Sequence, residues 1–104
     1  MKLWTYIRRF EFDGMTFRVD IGAGLKTVES ILRCGHTELA RDFTDVLATD
    51  GTRNHHLTHR LSDGRLMEIE AGYINWINTA IRVTVDGVLV HESHPGKDIR
   101  MPTA

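Results

Sequence analysis

The stretch Phe10-Glu11-Phe12-Asp13-Gly14-Met15-Thr16-Phe17 places two alternating apolar segments on either side of an Asp-Gly pair. A two-residue type I′ turn needs a positive φ at both central residues, which Asp and Gly tolerate, and its twist matches that of the flanking strands. The pairing that follows sets three apolar pairs opposite each other: Phe12 with Met15, Phe10 with Phe17, and Tyr6 with Ile21. One face is then apolar and the other charged, with Arg8 as the exception on the apolar side. The stretch therefore predicts a half-buried β-hairpin.

The Asp-Gly pair recurs twice, at Asp63-Gly64 and at Asp86-Gly87. Around Asp86-Gly87, a two-residue turn sets Val85 opposite Val88 and Val83 opposite Val90, and it leaves His91 on the reverse face. Around Asp63-Gly64, a two-residue turn would oppose apolar to charged residues, so we expect a three-residue loop with a glycine bulge. That loop lets Leu57, His59 and Leu61 share a face with Met67 and Ile69.

The region from residue 37 to residue 48 allows two interpretations. Leu39, Phe43, Val46 and Leu47 have helical spacing, which favours an amphipathic helix. An internal comparison favours strands instead, because the first two Asp-Gly pairs are 50 residues apart and Gly22 and Gly72 are also 50 apart. A repeat outweighs a local pattern, because missing it changes the whole fold. We therefore expect two four-strand meanders, residues 3–43 and 55–93, joined by a linker over residues 44–54.

The expected fold is all-β, a single domain over residues 1–104. Eight short strands with regularly spaced turns predict an antiparallel eight-stranded β-sandwich or a squat barrel. The alternative is an α+β fold with a helix near residues 37–48.

The order of strands, Asp-Gly turns and isolated glycines resembles the Fas apoptosis inhibitory molecule family. The segments that carry the likeness are residues 10–22 and 61–92, above all Thr84-Val85-Asp86-Gly87-Val88. The resemblance implies a compact eight-stranded β-sandwich without a catalytic site that works through protein contacts. It assigns no functional residue.

The amino-acid composition argues against several classes of partner and binding site. The 104 residues include 13 Lys and Arg and 14 Asp and Glu, a formal net charge of −1, which argues against a nucleic-acid or anionic-membrane partner. The single cysteine excludes an internal disulfide and a zinc site built from paired cysteines. With no recognisable targeting segment, we expect a cytoplasmic protein.

The segment from Gly72 to Asn78 is the most distinctive, because its counterpart after Gly22 carries no aromatic residue. Tyr and Trp combine large apolar area with a polar group, as contact surfaces require, although a Trp here could equally fill the core. The binding patch expected from the sequence consists of Tyr73, Asn75, Trp76 and Asn78.

A second candidate site is a histidine cluster. His55 and His59 lie on one face of a predicted strand, and His91 on a later strand could add a third imidazole, the outline of a zinc or iron site. Unpartnered surface histidines explain the same residues. Cys34 lies in a predicted turn with only Arg33 to activate it, so we interpret it as a structural cysteine.

The sequence carries no catalytic or cofactor-binding motif. We therefore expect a non-catalytic binding or protein-interaction module with an unidentified protein partner. The alternatives are a metal-binding protein or metal-dependent enzyme using His55, His59 and His91, and a homodimer or larger oligomer whose strand edges pair.

Overall fold

The structure, a computed structural model, describes residues 2–24, 27–45, 54–74, 78–97 and 99. These residues form eight strands: β1 (Lys2–Phe12), β2 (Met15–Gly24), β3 (Thr27–Cys34), β4 (Thr37–Asp45), β5 (His55–Arg60), β6 (Leu66–Tyr73), β7 (Thr79–Val85) and β8 (Val88–Glu92). They contain no helix, so the all-β prediction is confirmed. Nothing in the described ranges has the helical length and apolar character that crossing a membrane requires.

The strands form two antiparallel four-stranded sheets, each a meander of strands adjacent in sequence. Sheet A has the order β1-β2-β3-β4 and sheet B the order β5-β6-β7-β8. No ladder joins the two sheets in the described chain, so the architecture is a sandwich rather than a barrel. Whether the two halves superpose as a repeat stays a prediction.

The alternative helix near residues 37–48 is replaced by β4, which covers Thr37–Asp45; residues 46–48 lie outside the described ranges. Cys34 pairs with Thr37 across a turn in which Gly35 has a φ of 61°. β4 also runs two residues past the expected repeat boundary at residue 43, and Thr44 is buried.

The first and second Asp-Gly turns confirm the predicted registers. In the first hairpin, Phe12 pairs with Met15 and Phe10 with Phe17, and Asp13 has a φ of 52°. In the second, Gly64 N–H donates to the Leu61 carbonyl at 3.0 Å, and Leu61 N–H donates to the Arg65 carbonyl at 2.8 Å. These bonds enclose a three-residue loop that ends in a positive-φ glycine, as expected.

The third Asp-Gly hairpin departs from the sequence prediction. Val85 pairs with Val88 as expected, but a β-bulge then shifts the register, so that Val83 pairs with His91 and not with Val90. The prediction that placed His91 on the reverse face was therefore wrong. An extra residue in one strand turns every later side chain to the other face.

The core lies between the two sheets and draws on both. Phe17, Val19, Ile21 and Leu32 from sheet A are 0–1% exposed, as are Leu57, Met67, Ile69 and Val83 from sheet B. These residues belong to one continuous apolar cluster. At roughly 25 cal/mol per Å² of buried apolar surface, this cluster is the main stabilising term of the fold.

Candidate functional site

The binding patch expected from the sequence is only partly described, because Asn75 and Trp76 lie outside the described residues. Tyr73 is 5% exposed, and its ring meets that of Tyr6 edge to face at 6.4 Å between centroids. Tyr73 therefore belongs to the core between the sheets. A contact surface in this segment would rest on Asn75, Trp76 and Asn78.

Asn78 is half-buried and joins the two sheets through Arg8. The Arg8 Nη2 donates to Asn78 Oδ1 at 2.7 Å and to the Thr79 carbonyl at 2.9 Å. Asn78 Oδ1 also accepts the Thr79 backbone N–H at 3.0 Å. Arg8, the basic residue that interrupts the apolar alternation of β1, thus donates hydrogen bonds to Asn78 and to Thr79, the first residue of β7.

The three histidines of the metal hypothesis lie far apart. His55 and His59 are four residues apart on β5, roughly 13 Å at the usual strand rise. His91 pairs with Val83, three strands from β5, which is roughly 14 Å at the usual strand spacing. Among the described residues, no three His, Cys, Asp or Glu side chains come together as a metal site would need.

His55 has a structural environment. It is 0% exposed, with Nδ1 2.5 Å from the Ser30 hydroxyl and Nε2 3.2 Å from the Thr44 hydroxyl. Both ring nitrogens therefore meet hydroxyl groups of sheet A. A buried imidazole bonded in this way links the sheets, because each unmade bond would leave a buried polar atom.

The edge strands β4 and β5 meet along one side of the sandwich, which we call the closed flank. Besides the His55 bonds, the Asp42 carboxylate of β4 accepts the backbone N–H of His56 at 3.0 Å. A side chain of sheet A thus satisfies a backbone donor on the outer edge of sheet B. Such bonds remove the free donors that an added strand would pair with.

The edge strands β1 and β8 lie along the opposite side, which we call the open flank. The ring of Phe10 in β1 stacks on His91 in β8 at 5.6 Å and 23°. Burial lowers the pKa of His91, and the neighbouring Glu92 carboxylate opposes this shift. The ring therefore favours its neutral form, which suits a contact with a phenyl ring.

β8 exposes three consecutive apolar residues beside this contact: Val88 at 66%, Leu89 at 49% and Val90 at 37%. Within the described part of the chain, the outer backbone edge of these three residues has no hydrogen-bond partner. Lysine, proline and inward-pointing charges, which protect many strand edges, do not occur in this triplet. The bulge at Val90 is itself such a protection, so the regular part of the open edge is Val88 and Leu89. β8 therefore presents a short apolar edge that is open to pairing before the bulge.

The outer face of sheet A is charged but internally paired. Asp20 forms ion pairs with Arg18 at 2.9 Å and Arg33 at 3.3 Å, and Arg41 pairs with Glu29 and Glu38, each at 2.7 Å. The Arg41 contact lowers the pKa of Glu38. Arg9, Arg18 and Arg33 lie side by side across β1, β2 and β3, and Asp20 pairs with the last two of them. Acidic side chains thus offset much of the positive charge of this face.

The end of the sandwich that carries the hairpin turns contains a cleft of about 300 Å³ between the two sheets. Its walls are apolar, formed by Met15, Phe17, Leu39 and Leu61. Its polar groups are those of Cys34, Thr37, His59 and Ser62. Cys34 and His59, which the sequence suggested as candidates for different sites, thus line the same cleft. Their spacing in the sequence did not predict this.

A scan against protein-family models, a search of curated proteins and a search of solved structures each returned no match to this chain.

Proposed function

We propose that this chain is a non-catalytic protein-interaction module that binds through the open edge of β8. The observation that carries the proposal is the run Val88-Leu89-Val90, exposed on an edge strand without a backbone partner among the described residues. A partner strand added there would satisfy the free N–H and C=O groups and cover the apolar side chains. This mode of recognition takes affinity from the backbone and specificity from alternate side chains.

The resemblance to the Fas apoptosis inhibitory molecule family stays a prediction, and it implies action through protein contacts without naming a surface. The cytoplasmic location expected from the sequence is part of the proposal, since a reducing compartment keeps the lone thiol of Cys34 free.

A second candidate is the edge-paired homo-oligomer, in which β8 pairs with β8 of another copy. The exposed side chains of Val88 and Leu89, which precede the bulge, carry no charge, so two copies of this edge can meet without like-charge repulsion. The metal alternative draws no support from the separation of His55, His59 and His91.

The decisive variant is Leu89→Lys, because a charge on an edge strand opposes strand addition while an exposed position tolerates it. We expect its stability to change by less than about 0.5 kcal/mol, as for most surface substitutions. Phe43→Lys is the matched control, because Phe43 is 59% exposed on β4, an edge strand of the closed flank.

Light scattering over a concentration series first shows whether the partner that binds β8 is a second copy of this chain. A dimer that Leu89→Lys converts to a monomer, and that Phe43→Lys leaves intact, means a second copy. If the wild type is monomeric, quantitative co-purification of one identified partner should fall with Leu89→Lys alone. Association that survives in a folded Leu89→Lys protein would overturn the role of β8.

A further inference from the structure

We propose that the cleft at the hairpin end is a binding site for a small, uncharged, two-ring aromatic molecule that carries one hydroxyl group. The site lies between β2, β3, β4 and β5, on the far side of sheet B from β8. It is therefore independent of the interaction edge proposed above.

The volume sets the size of the ligand. An apolar cavity of about 150 Å³ holds one benzene molecule, and small-molecule sites begin at about 300 Å³. The cleft, at about 300 Å³ and open to solvent at its rim, has room for two fused rings against its walls. A drug-sized ligand would extend well beyond its walls.

The lining sets the chemistry of the ligand. None of the described residues that line the cleft is Asp, Glu, Lys or Arg. A charged ligand would lose hydration against these walls without meeting a free opposite charge, because the Arg65 guanidinium beside the cleft is already paired with Asp13 and Asp63. Phe17, Leu39 and Leu61 offer apolar contacts, and the Met15 thioether favours the edge of an aromatic ring.

The polar groups explain why the ligand carries a hydroxyl. Thr37 and Ser62 contribute hydroxyl groups and His59 an imidazole, each able to donate or accept a hydrogen bond. A single ligand hydroxyl can therefore bond at the rim while the rings lie against the apolar wall. A purely apolar ligand would cover these groups without replacing their bonds to water, which weakens its binding.

Two features of the fold build the cleft. A bulge between Leu32 and Arg33 makes Leu39 the extra residue of β4, since Ala40 pairs with Leu32 and Glu38 with Arg33. Bulges re-aim side chains beside functional sites, and this one brings Leu39 into the wall.

The second feature is a bridge between the sheets beside the cleft. Arg65 of sheet B's first loop forms ion pairs with Asp13 and Asp63, and its guanidinium lies 5.1 Å from the Phe12 ring centroid. The sheets are thus tied together at the β1–β2 turn and stay apart at the cleft. Walls that stand on strands give a preformed site, which lowers the ordering penalty of binding.

The single cysteine supplies a direct test, because Cys34 lines the cleft and is the only thiol that iodoacetamide can alkylate. The probe is 2-naphthol, and the rate of carbamidomethylation is followed by mass spectrometry on the intact chain. We expect 2-naphthol at about ten times its Kd to slow alkylation about tenfold, because only the unoccupied fraction reacts. Naphthalene lacks the hydroxyl group, and 2-naphthoate carries a negative charge. At equal concentration, each should slow the alkylation of Cys34 less than 2-naphthol does.

Leu39→Trp fills the cleft, and its control is Ile7→Trp, which places the same side chain at an exposed position of β1, where Ile7 is 42% exposed. Leu39→Trp should abolish 2-naphthol binding, and Ile7→Trp should bind as the wild type does. Amide chemical shifts of the wild type provide a second readout that needs no variant, with changes expected at Thr37 and His59. Absence of both protection and shift changes with 2-naphthol overturns the site, and equal protection by 2-naphthoate overturns its chemistry.

Discussion

The closed flank and the open flank of the sandwich hold the same two sheets together by different means. At the closed flank, the buried His55 bonds to Ser30 and Thr44, and Asp42 accepts a backbone donor of β5. At the open flank, Arg8 reaches Asn78 and Thr79 and Phe10 stacks on His91, while the outer edge of β8 stays bare. Within the described residues, a side chain of sheet A thus occupies a backbone donor at one edge of sheet B, whereas the other edge carries no such bond, and we expect strand addition only at the second.

The strongest test of this contrast is His55→Ala at the closed flank. The change removes a fully buried ring and leaves the hydroxyls of Ser30 and Thr44 without their partner, so we expect a loss of about 4 kcal/mol in the free energy of unfolding. Urea unfolding followed by circular dichroism measures it. His56→Ala is the matched control, because His56 is exposed and bonds to Asp42 through its backbone, and it should change stability by less than about 0.5 kcal/mol. Similar losses in the two variants would show that the His55 bonds do not tie the sheets.

Arg8→Met tests the open flank and should have a smaller effect. It keeps the aliphatic contact of the side chain but removes the guanidinium that donates to Asn78 Oδ1 and the Thr79 carbonyl, which should lower the free energy of unfolding by about 1.5 kcal/mol. Arg9→Met, an exposed neighbour on the other face of β1, is the control in the same urea measurement. A loss as large as that of His55→Ala would contradict the contrast between the flanks.

The smallest expected effect is a pH dependence from His91. Because burial lowers the pKa of His91, the unfolded chain, with a value near 6.5, binds this proton more readily than the folded one. His91 therefore adds its full contribution to the free energy of unfolding at pH values above about 6.5, and this contribution falls as the pH drops below that value. We expect the wild type to lose more stability than His91→Phe between pH 7.5 and pH 5.5. An NMR titration of the His91 ring with a midpoint at or above 6.5 would contradict the assignment.

Much of the sandwich was predictable because its signals are local. Asp13-Gly14 specifies both a turn and the register of two aromatic strands, and the need to keep Leu57 opposite Ile69 fixed the longer loop at Gly64. Spacing alone favoured a helix near residues 37–48, and only the comparison of the two halves of the chain corrected it.

The candidate sites were not predictable, because they depend on contacts between distant residues. Two bulges, after Leu32 and after Val83, leave no mark in the local alternation, yet they place Leu39 in the cleft wall and turn His91 toward Phe10. The partner of His55 is Ser30, 25 residues away on another strand. The apolar run Val88-Leu89-Val90 has the composition of a core strand. Only the sheet order shows that β8 is an edge strand.

Every ladder in the described chain joins strands that follow one another in sequence. Each hairpin therefore forms by closing a short loop, and such local topology permits rapid folding. We expect the docking of the two sheets to be the slowest step. A cut between Asp45 and Asn54 falls between the two sheets and breaks none of the ladders of the described residues. The two fragments would carry the strands of sheet A and of sheet B and would reassemble through the shared core and the cross-sheet bonds of Asp42 and Arg8, so their complementation would measure the strength of the sandwich interface directly.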